Sequence, residues 1–349
     1  MGINRFMGAR RKEPTIADVA RDAGVSKAAV SFALNGRPGV ADATRERILS
    51  VAAELGWSPS ASARSLSSSR AFAVGLVIAR EPALVGADPF FPAFIAGVET
   101  ELAPLDHALL LQIIGDDDEA ELDRYAQLAR TTRVDGVFLT DLRFDDPRVD
   151  LCARLGLPAV TLGRPAGPSP HPAVCLDDRP GVQEAVAHLV ALGHERIAHV
   201  GGRQDLLHGS SRREAWEASM RAAGLATDLM IPADFTAAAG AAATSELLAR
   251  DDAPTAIVYA NDVMAIAGLT VAHQRGLTPP RDLSIVGFDA TELAAHVYPA
   301  LTTVRSDAAG WGQAAARVLL EHIDGHAQDV ELPPARLVVR ASTTGRRPE

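Results

Sequence analysis

From Ala71 onward the chain alternates short apolar runs with amphipathic stretches, and this pattern constrains the fold more than any other feature. The runs are 73-AVGLVIA-79, 108-ALLLQII-114, 136-GVFLT-140, 158-PAVTLG-163, 196-RIAHVGG-202, 256-AIVYA-260 and 283-LSIVGFD-289. Between them lie helical patterns, among them 119–131, 181–192, 211–223 and 262–274. Strands that are apolar on both faces and separated by helices belong to parallel sheets covered on both sides. At about 270 residues this body is long enough for two doubly wound α/β lobes, whose ligands sit beyond the carboxyl ends of the strands. There is no repeat at a fixed period.

The first 70 residues are different. Residues 15–57 are helical in character, and 58-SPSASARSLSSSR-70 is a Ser-rich linker with few apolar anchors. The charge divides at the same place. Residues 1–70 carry 11 Lys and Arg against 6 Asp and Glu, whereas the remainder carries 23 against 38. A basic head on an acidic body fits a polyanion met by the head alone, or else a solvated basic tail. No apolar run approaches the ~20 residues needed to span a bilayer. The opening MGINRFMGARRKEP has no apolar core ahead of a small-residue cleavage site, so the cytoplasm is expected. Two cysteines, Cys152 and Cys175, in 349 residues read as buried free thiols rather than a disulfide framework.

The segment 15-TIADVARDAGVSKAAVSFALNG-36 reads as two helices. Thr15 can cap the first, whose apolar face is Ile16, Val19, Ala20 and Ala23. Gly24 permits a sharp turn and Ser26 caps the second helix. On a helical wheel Val30, Ala33 and Leu34 turn inward with Val25, while Ala28, Ser31, Phe32 and Asn35 lie opposite. A third helix over roughly 42–55 opens with Thr44, Arg45 and Arg47. Two helices on a tight Gly turn, the second presenting small and polar groups, suit a major groove.

These residues resemble the head of the lactose-repressor (LacI/GalR) family of bacterial transcription regulators. The likeness continues through ATRERILSVAAELGWSPSASARSL and into the body, at 186-VAHLVALGHERIAHVGG-202, 260-ANDVMAIAGL-269, 285-IVGFDA-290 and 301-LTTVRSDAAGWGQAAARVLLEHIDG-325. It implies an all-α helix-turn-helix head at 13–58, a hinge at 59–70, and an α/β body at 71–349 resembling periplasmic sugar-binding proteins. The body divides into an N-lobe (about 71–173 and 305–328) and a C-lobe (about 174–304 and 329–345). The resemblance also implies roles. Lys27 and Ala28 fall where the family reads base edges, Ser31 on a backbone or base contact, and Thr15, Asn35, Thr44 and Arg45 on phosphate contacts, beside the Ser26 cap. The stretch 60-SASARSL-66 matches a hinge that becomes helical on DNA, with Ala61 and Ala63 supporting it and Leu66 wedged into the minor groove.

Two residues depart from the family's usual pattern: Ala29 stands where Thr is common, and Phe32 where Arg is common. Phe32 has three readings. It touches a thymine methyl or the sugar edge of the groove; it packs on the hinge or a neighbouring head; or it marks a head that no longer reads DNA. The first is the working hypothesis.

In the body, a planar Arg fork, Asp, Asn and aromatic faces at strand ends can bind a polyol. The candidates are Arg212, Asn261, Asp289, Phe90 and Phe91, with Asp141 a weaker one. The resemblance assigns Arg212, Asn261 and Asp289 to sugar hydroxyls and Phe235 to an aromatic closing over the ligand. Asp289 as a helix cap and Arg212 as a structural ion pair are the competing readings. Ala215 before Trp216, where the family often has Gly, is expected to narrow the space nearby. No GxSxG, Walker loop or HExxH appears, His194 and His199 read as surface or capping residues, and 310-GWGQAA-315 is not a dinucleotide site. The expectation is a homodimeric, non-enzymatic regulator of operator DNA, without cofactor or metal, controlled by a small molecule, a sugar ahead of a purine or phosphosugar. A periplasmic binding protein would have no use for the head.

Overall fold

The structure is a computed structural model that describes residues 14–34, 38–57, 68 and 70–345. The chain divides into two compact units, Met1–Phe72 and Ala73–Glu349. In the first, α1 (Ile16–Asp22), α2 (Lys27–Leu34) and α3 (Asp42–Glu54) close around Val19, Ala20, Ala23, Val30, Ala33, Ile48 and Ala52. Asp18 accepts from the Thr15 backbone N–H at 3.0 Å and from its hydroxyl at 2.7 Å, which fixes the start of α1. Gly24 takes φ +65° in the turn. The Ser26 hydroxyl then accepts from the Ala29 N–H at 3.1 Å and starts α2. The expected hinge, with Ala63 and Leu66, and the expected contact Asn35 lie outside the described residues.

The body holds two six-stranded sheets. The N-lobe sheet has the order β11-β5-β4-β3-β1-β2 and is parallel throughout. Its strands are β1 (Ala73–Ala79), β2 (Ala108–Ile114), β3 (Gly136–Leu139), β4 (Ala159–Leu162), β5 (Ala173–Cys175) and β11 (Val330–Glu331). Helices α4 (Pro82–Ala87) and α5 (Phe90–Leu102), with α6 (Asp118–Thr131) and α7 (Pro147–Leu155), belong to this lobe. The C-lobe sheet has the order β12-β10-β9-β8-β6-β7, with only β12 antiparallel. It is built from β6 (Ile197–Gly201), β7 (Met230–Pro232), β8 (Ala256–Tyr259), β9 (Ser284–Asp289), β10 (Thr302–Arg305) and β12 (Arg336–Val338). Around it lie α8 (Arg179–Ala191), α9 (Leu207–Ala222), α10 (Ala237–Leu247) and α11 (Asp262–Gln274), while α12 (Ala308–Ile323) returns to the N-lobe.

Each sheet has an apolar core on both faces. Phe91, Phe94, Val98, Ala316 and Leu319 cover one side of the N-lobe sheet, and Tyr125, Leu128, Val149 and Cys152 the other. In the C-lobe the two layers centre on Trp216 and Met220, and on Leu247, Met264 and Leu269. The chain passes between lobes after β5, after β10 and after β11. Val174, Cys175, Val330 and Glu331 therefore belong to the N-lobe sheet, a few residues beyond the expected boundary, because β5 and β11 pair with each other at its edge.

Two histidines correct the sequence reading. His194 is buried, with Nδ1 on the Thr255 hydroxyl at 2.9 Å and Nε2 on the Ser284 hydroxyl at 3.0 Å. His199 is buried too, its Nδ1 on the Val258 carbonyl at 2.9 Å and its ring stacked on Trp216 at 5.6 Å. Burial pushes His199 down to about 4, so it stays neutral in the core. Both are polar anchors between strands, not surface groups. Cys152 and Cys175 are free and buried.

Candidate effector site and DNA-reading head

Parallel strands deliver their carboxyl ends to one edge of each sheet, and the two edges face each other across a cavity of about 410 Å³. From the N-lobe come Arg80 after β1, Thr140 and Asp141 after β3, and Gly163 and Arg164 after β4, while Leu176 to Asp178 lie where the chain crosses after β5 to enter the C-lobe at α8. From the C-lobe come Phe235 after β7, Asn261 after β8 and Asp289 at the end of β9, with Leu207, His208, Ser211 and Arg212 from α9. Asp88, Phe90 and Trp311 complete the wall.

Six of the seven body residues singled out in the sequence thus line one cavity: Phe90, Asp141, Arg212, Phe235, Asn261 and Asp289. Phe91 does not. It is 1% exposed in the N-lobe core, since adjacent residues of α5 point about 100° apart, and it meets the site only through Arg80, whose guanidinium carbon lies 5.2 Å from its ring centre. Ala215 and Trp216 are also absent from the lining, being buried in the C-lobe core, so Ala215 narrows nothing in the cavity.

Arg212 is both an ion-pair partner and a wall residue. Its Nε donates to Asp178 Oδ2 at 2.7 Å, its Nη1 donates to the Ala260 carbonyl at 2.7 Å, and its guanidinium carbon sits 3.6 Å from the Phe288 ring centre. Asn261 caps α11, accepting from the Met264 N–H at 2.9 Å, while its Nδ2 donates to the Phe235 carbonyl at 2.9 Å. That second bond holds Phe235 at φ +70°. The Phe235 ring stacks on His208 at 5.3 Å and closes over Gly202, where a Cβ would fall 1.9 Å from the ring. Only glycine leaves room for that approach. Asp289 caps no helix, and among the described residues its carboxylate accepts no hydrogen bond from the protein.

The charges are closely matched. Arg80 grips Asp141 through Nε (2.7 Å) and Nη2 (2.8 Å), and Asp88 through Nη1 (2.9 Å). Arg164 pairs with Asp329 and Glu331, and Arg179 with Asp177. Burial works to raise the Asp141 carboxyl, but the Arg80 charge and hydrogen bonds outweigh it and the net shift is downward. Burial pushes Asp178 up against the pull of Arg212. It pushes Asp289 well above the usual carboxylate range, with the neighbouring charges of Asp262, Asp88 and Asp178 adding to the rise and Arg212 opposing it. Burial, reinforced by the charge of Arg212, drives His208 down to about 3 and keeps it neutral. Among the described residues no group of three or more His, Cys, Asp and Glu could hold a metal ion, and no helix is long and apolar enough to cross a membrane.

Sequence reasoning missed Arg80, Asp88, Asp178, His208 and Trp311. Arg80 directly follows the first apolar run, which was a usable signal. Asp178 follows β5, a strand too short to be seen.

In the head, Lys27, Ala28 and Phe32 are exposed and Ser31 is half-buried, at positions of α2 that share one face. Thr15 and Ser26 are exposed at the starts of α1 and α2, and Thr44 and Arg45 are half-buried in the first turns of α3.

Comparison with known proteins settles the family. Residues 15–60 match the bacterial regulatory proteins of the lacI family, and residues 186–343 match the periplasmic binding protein-like domain. The chain is 34% identical over 334 residues to the HTH-type transcriptional regulator CelR of Thermobifida fusca, covering 95% of this chain and 96% of that one. The chain belongs to the LacI family. It is 36% identical over 343 residues to the regulator MalR of Streptomyces coelicolor, covering 94% and 96% of the two chains. Among solved structures, a CelR–cellobiose complex superposes with a TM-score of 0.72 at 33% identity, covering 94% of this chain and 99% of that one. The lac repressor dimer bound to operator and the anti-inducer ONPF superposes with a TM-score of 0.83 at 27% identity, over 95% and 100%. This LacI-family protein is accordingly a DNA-binding transcription regulator, not an enzyme, with a helix-turn-helix head and a two-lobed body.

Proposed function

We propose that this regulator binds its operator as a cytoplasmic homodimer and represses transcription until an uncharged sugar occupies the cleft. The observation that carries the ligand class is the balance of charge in the cavity. Each of its four guanidiniums, Arg80, Arg164, Arg179 and Arg212, is already paired with a carboxylate of the protein. Asp289 has no hydrogen-bond donor among the described residues, and the Asp178 Oδ1 is buried without a partner. Acceptors of this kind in a cavity wall call for donors from a ligand. A phosphosugar would bring two more negative charges to carboxylates that have no spare cation. A sugar brings hydroxyl donors and apolar ring faces, and two aromatic pairs line the same cavity: Phe90 with Trp311 at 6.0 Å, and Phe235 with His208 at 5.3 Å. Two such platforms fit two pyranose rings, in keeping with the cellobiose bound by the CelR relative.

A single helix-turn-helix makes too few contacts for a specific site, which favours a dimer on paired half-sites. Ligand closure of the lobes then changes how the two heads are presented. Such coupling is reciprocal: operator must weaken the sugar by the factor by which sugar weakens operator. The test is fluorescence anisotropy on DNA upstream of the protein's own gene, with cellobiose, maltose, other neutral disaccharides, monosaccharides, their phosphates and purine bases. Release by one neutral sugar is the expected result. Release by a phosphosugar or a purine alone would overturn the ligand class, and tightening would reverse the sign.

A further inference from the structure

Arg80 is a cavity cation of the N-lobe whose side chain also meets an aromatic ring of the C-lobe. Its guanidinium lies between two faces, with Phe91 of its own lobe at 5.2 Å and Phe235 of the opposite lobe at 5.8 Å from their ring centres. Its in-plane donors are taken by Asp141, with two bonds, and by Asp88, with one. Asp88 in turn fixes the start of α5 by accepting from the Phe90 N–H at 3.0 Å. The side chain is almost wholly buried, although it stands at the edge of an open cleft. On the far side, Phe235 is held by Asn261, His208 and the missing Cβ of Gly202.

We propose that Arg80 is the positioning residue that lets the cleft close on its ligand, by cancelling the charge of Asp88 and Asp141 and offering Phe235 a flat cationic face. Without Arg80, two N-lobe carboxylates would face the C-lobe carboxylates Asp178 and Asp289 across the cavity, where the local dielectric is low and like charges repel strongly. None of the remaining cations can take over. Arg212 is engaged by Asp178 and Ala260, Arg179 by Asp177, and Arg164 by Asp329 and Glu331. The stack on Phe235 would vanish at the same time, and with it an attraction that strengthens when water is excluded. The lobes also touch at the Arg203–Asp116 ion pair (3.0 Å) and at the Leu207 N–H to Leu142 carbonyl bond (2.8 Å). Neither of those contacts neutralises a cavity carboxylate.

The inference builds on the reading of the cavity as an effector site, and its test separates the two. In the full-length protein, thiol labels at Glu119→Cys and Asp251→Cys, exposed positions on opposite lobes, report the inter-lobe distance; both native thiols are buried. Arg80→Met keeps the stem and removes the charge. It is expected to lengthen the mean distance without ligand, and to weaken the best-binding neutral disaccharide of the panel by roughly 5- to 150-fold, the range usual for coupled sites. Adding Asp141→Asn removes one surplus charge and is expected to restore much of the closed distance. Arg80→Lys, which keeps the charge and loses the fork and the plane, should lie between wild type and Arg80→Met. An Arg80→Met protein as closed as wild type would overturn the proposal. So would an opening that Asp141→Asn fails to reverse, because a merely structural role predicts no such rescue. If no sugar binds wild type, the effector reading fails, and the distances alone still decide the role of Arg80.

Discussion

Asp178 holds Arg212 through one carboxylate oxygen, Oδ2, at 2.7 Å, and its other oxygen, Oδ1, is buried with no partner among the described residues. One residue thus aims the guanidinium and keeps an acceptor in reserve at the cavity wall. Asp178→Ala should leave a nearly buried cation unpaired, at a cost of about 3–5 kcal/mol. Thermal unfolding of the body should drop accordingly, and sugar affinity should fall at least tenfold by titration calorimetry. Asp178→Asn keeps an acceptor for Arg212 and should spare most of the stability while still weakening the ligand. An Asp178→Asn protein that binds sugar as tightly as wild type would mean that Oδ1 has no part in binding.

Asp289 gives the opposite relation between stability and binding. Its folded-state pKa lies well above its unfolded value, mainly through burial and opposed by Arg212. The native state therefore holds this proton more tightly than the unfolded chain does. Its contribution to stability is full at acid pH and is lost as pH rises through the folded-state value. Above that value the charged group is a burden retained for the ligand. Asp289→Asn should raise the melting temperature of the ligand-free protein at neutral pH, with the gain shrinking as pH falls. The same change should abolish the sugar response in operator-release assays. A variant that melts lower than wild type at neutral pH would contradict this account.

Much of the site was legible before the fold was known, for a physical reason. Six of the seven runs, 73-AVGLVIA-79 and 256-AIVYA-260 among them, are largely buried on both faces, so their apolar character is continuous, and in parallel sheets the residues just beyond them converge. Asp141, Asn261 and Asp289 were found in this way. The failures have equally specific causes. β5, β7, β11 and β12 are two or three residues long and carry no periodic signal, so Asp178, which follows β5, went unseen. Phe90 and Phe91 are chemically identical neighbours, and only the phase of α5 decides that one faces the cavity and the other the core. His194 and His199 looked superficial because their partners, Thr255, Ser284 and Val258, are remote in sequence. The roles of Ala63 and Leu66 fall outside the described residues.

The edge of the N-lobe sheet bears on assembly. β2 pairs with β1 along its whole length, and its sequence ALLLQII has Gln112 as its only polar residue. Leu111 and Ile113, on one face of this edge strand, are 40% and 39% exposed. A long apolar edge left open invites aggregation unless another chain covers it. A second copy of the protein is the cover that a paired operator requires. Leu111→Lys with Ile113→Lys should therefore yield a monomer by light scattering and lower operator affinity by orders of magnitude, while sugar still binds. A double variant that stays dimeric would place the interface elsewhere.

We predict a base-reading role for Phe32. It is 39% exposed on the α2 face shared with Lys27 and Ala28, and it lies outside the buried cluster that holds the head together. One edge of its ring rests beside Gly39, where an added Cβ would lie 3.6 Å away. An aromatic tip on a recognition helix cannot make the bidentate bonds an Arg makes to guanine, but it can cover the methyl group of a thymine. Operators selected from a random pool by the wild-type protein should carry thymine at one position in each half-site. Phe32→Arg should shift that position toward guanine, with a discrimination of about 1–3 kcal/mol. Phe32→Ala should relax it without changing the other positions, and should leave the salt dependence unaltered because no phosphate contact is lost. If all three proteins select the same sequence, Phe32 does not read a base, and its exposure serves a contact with another part of the complex.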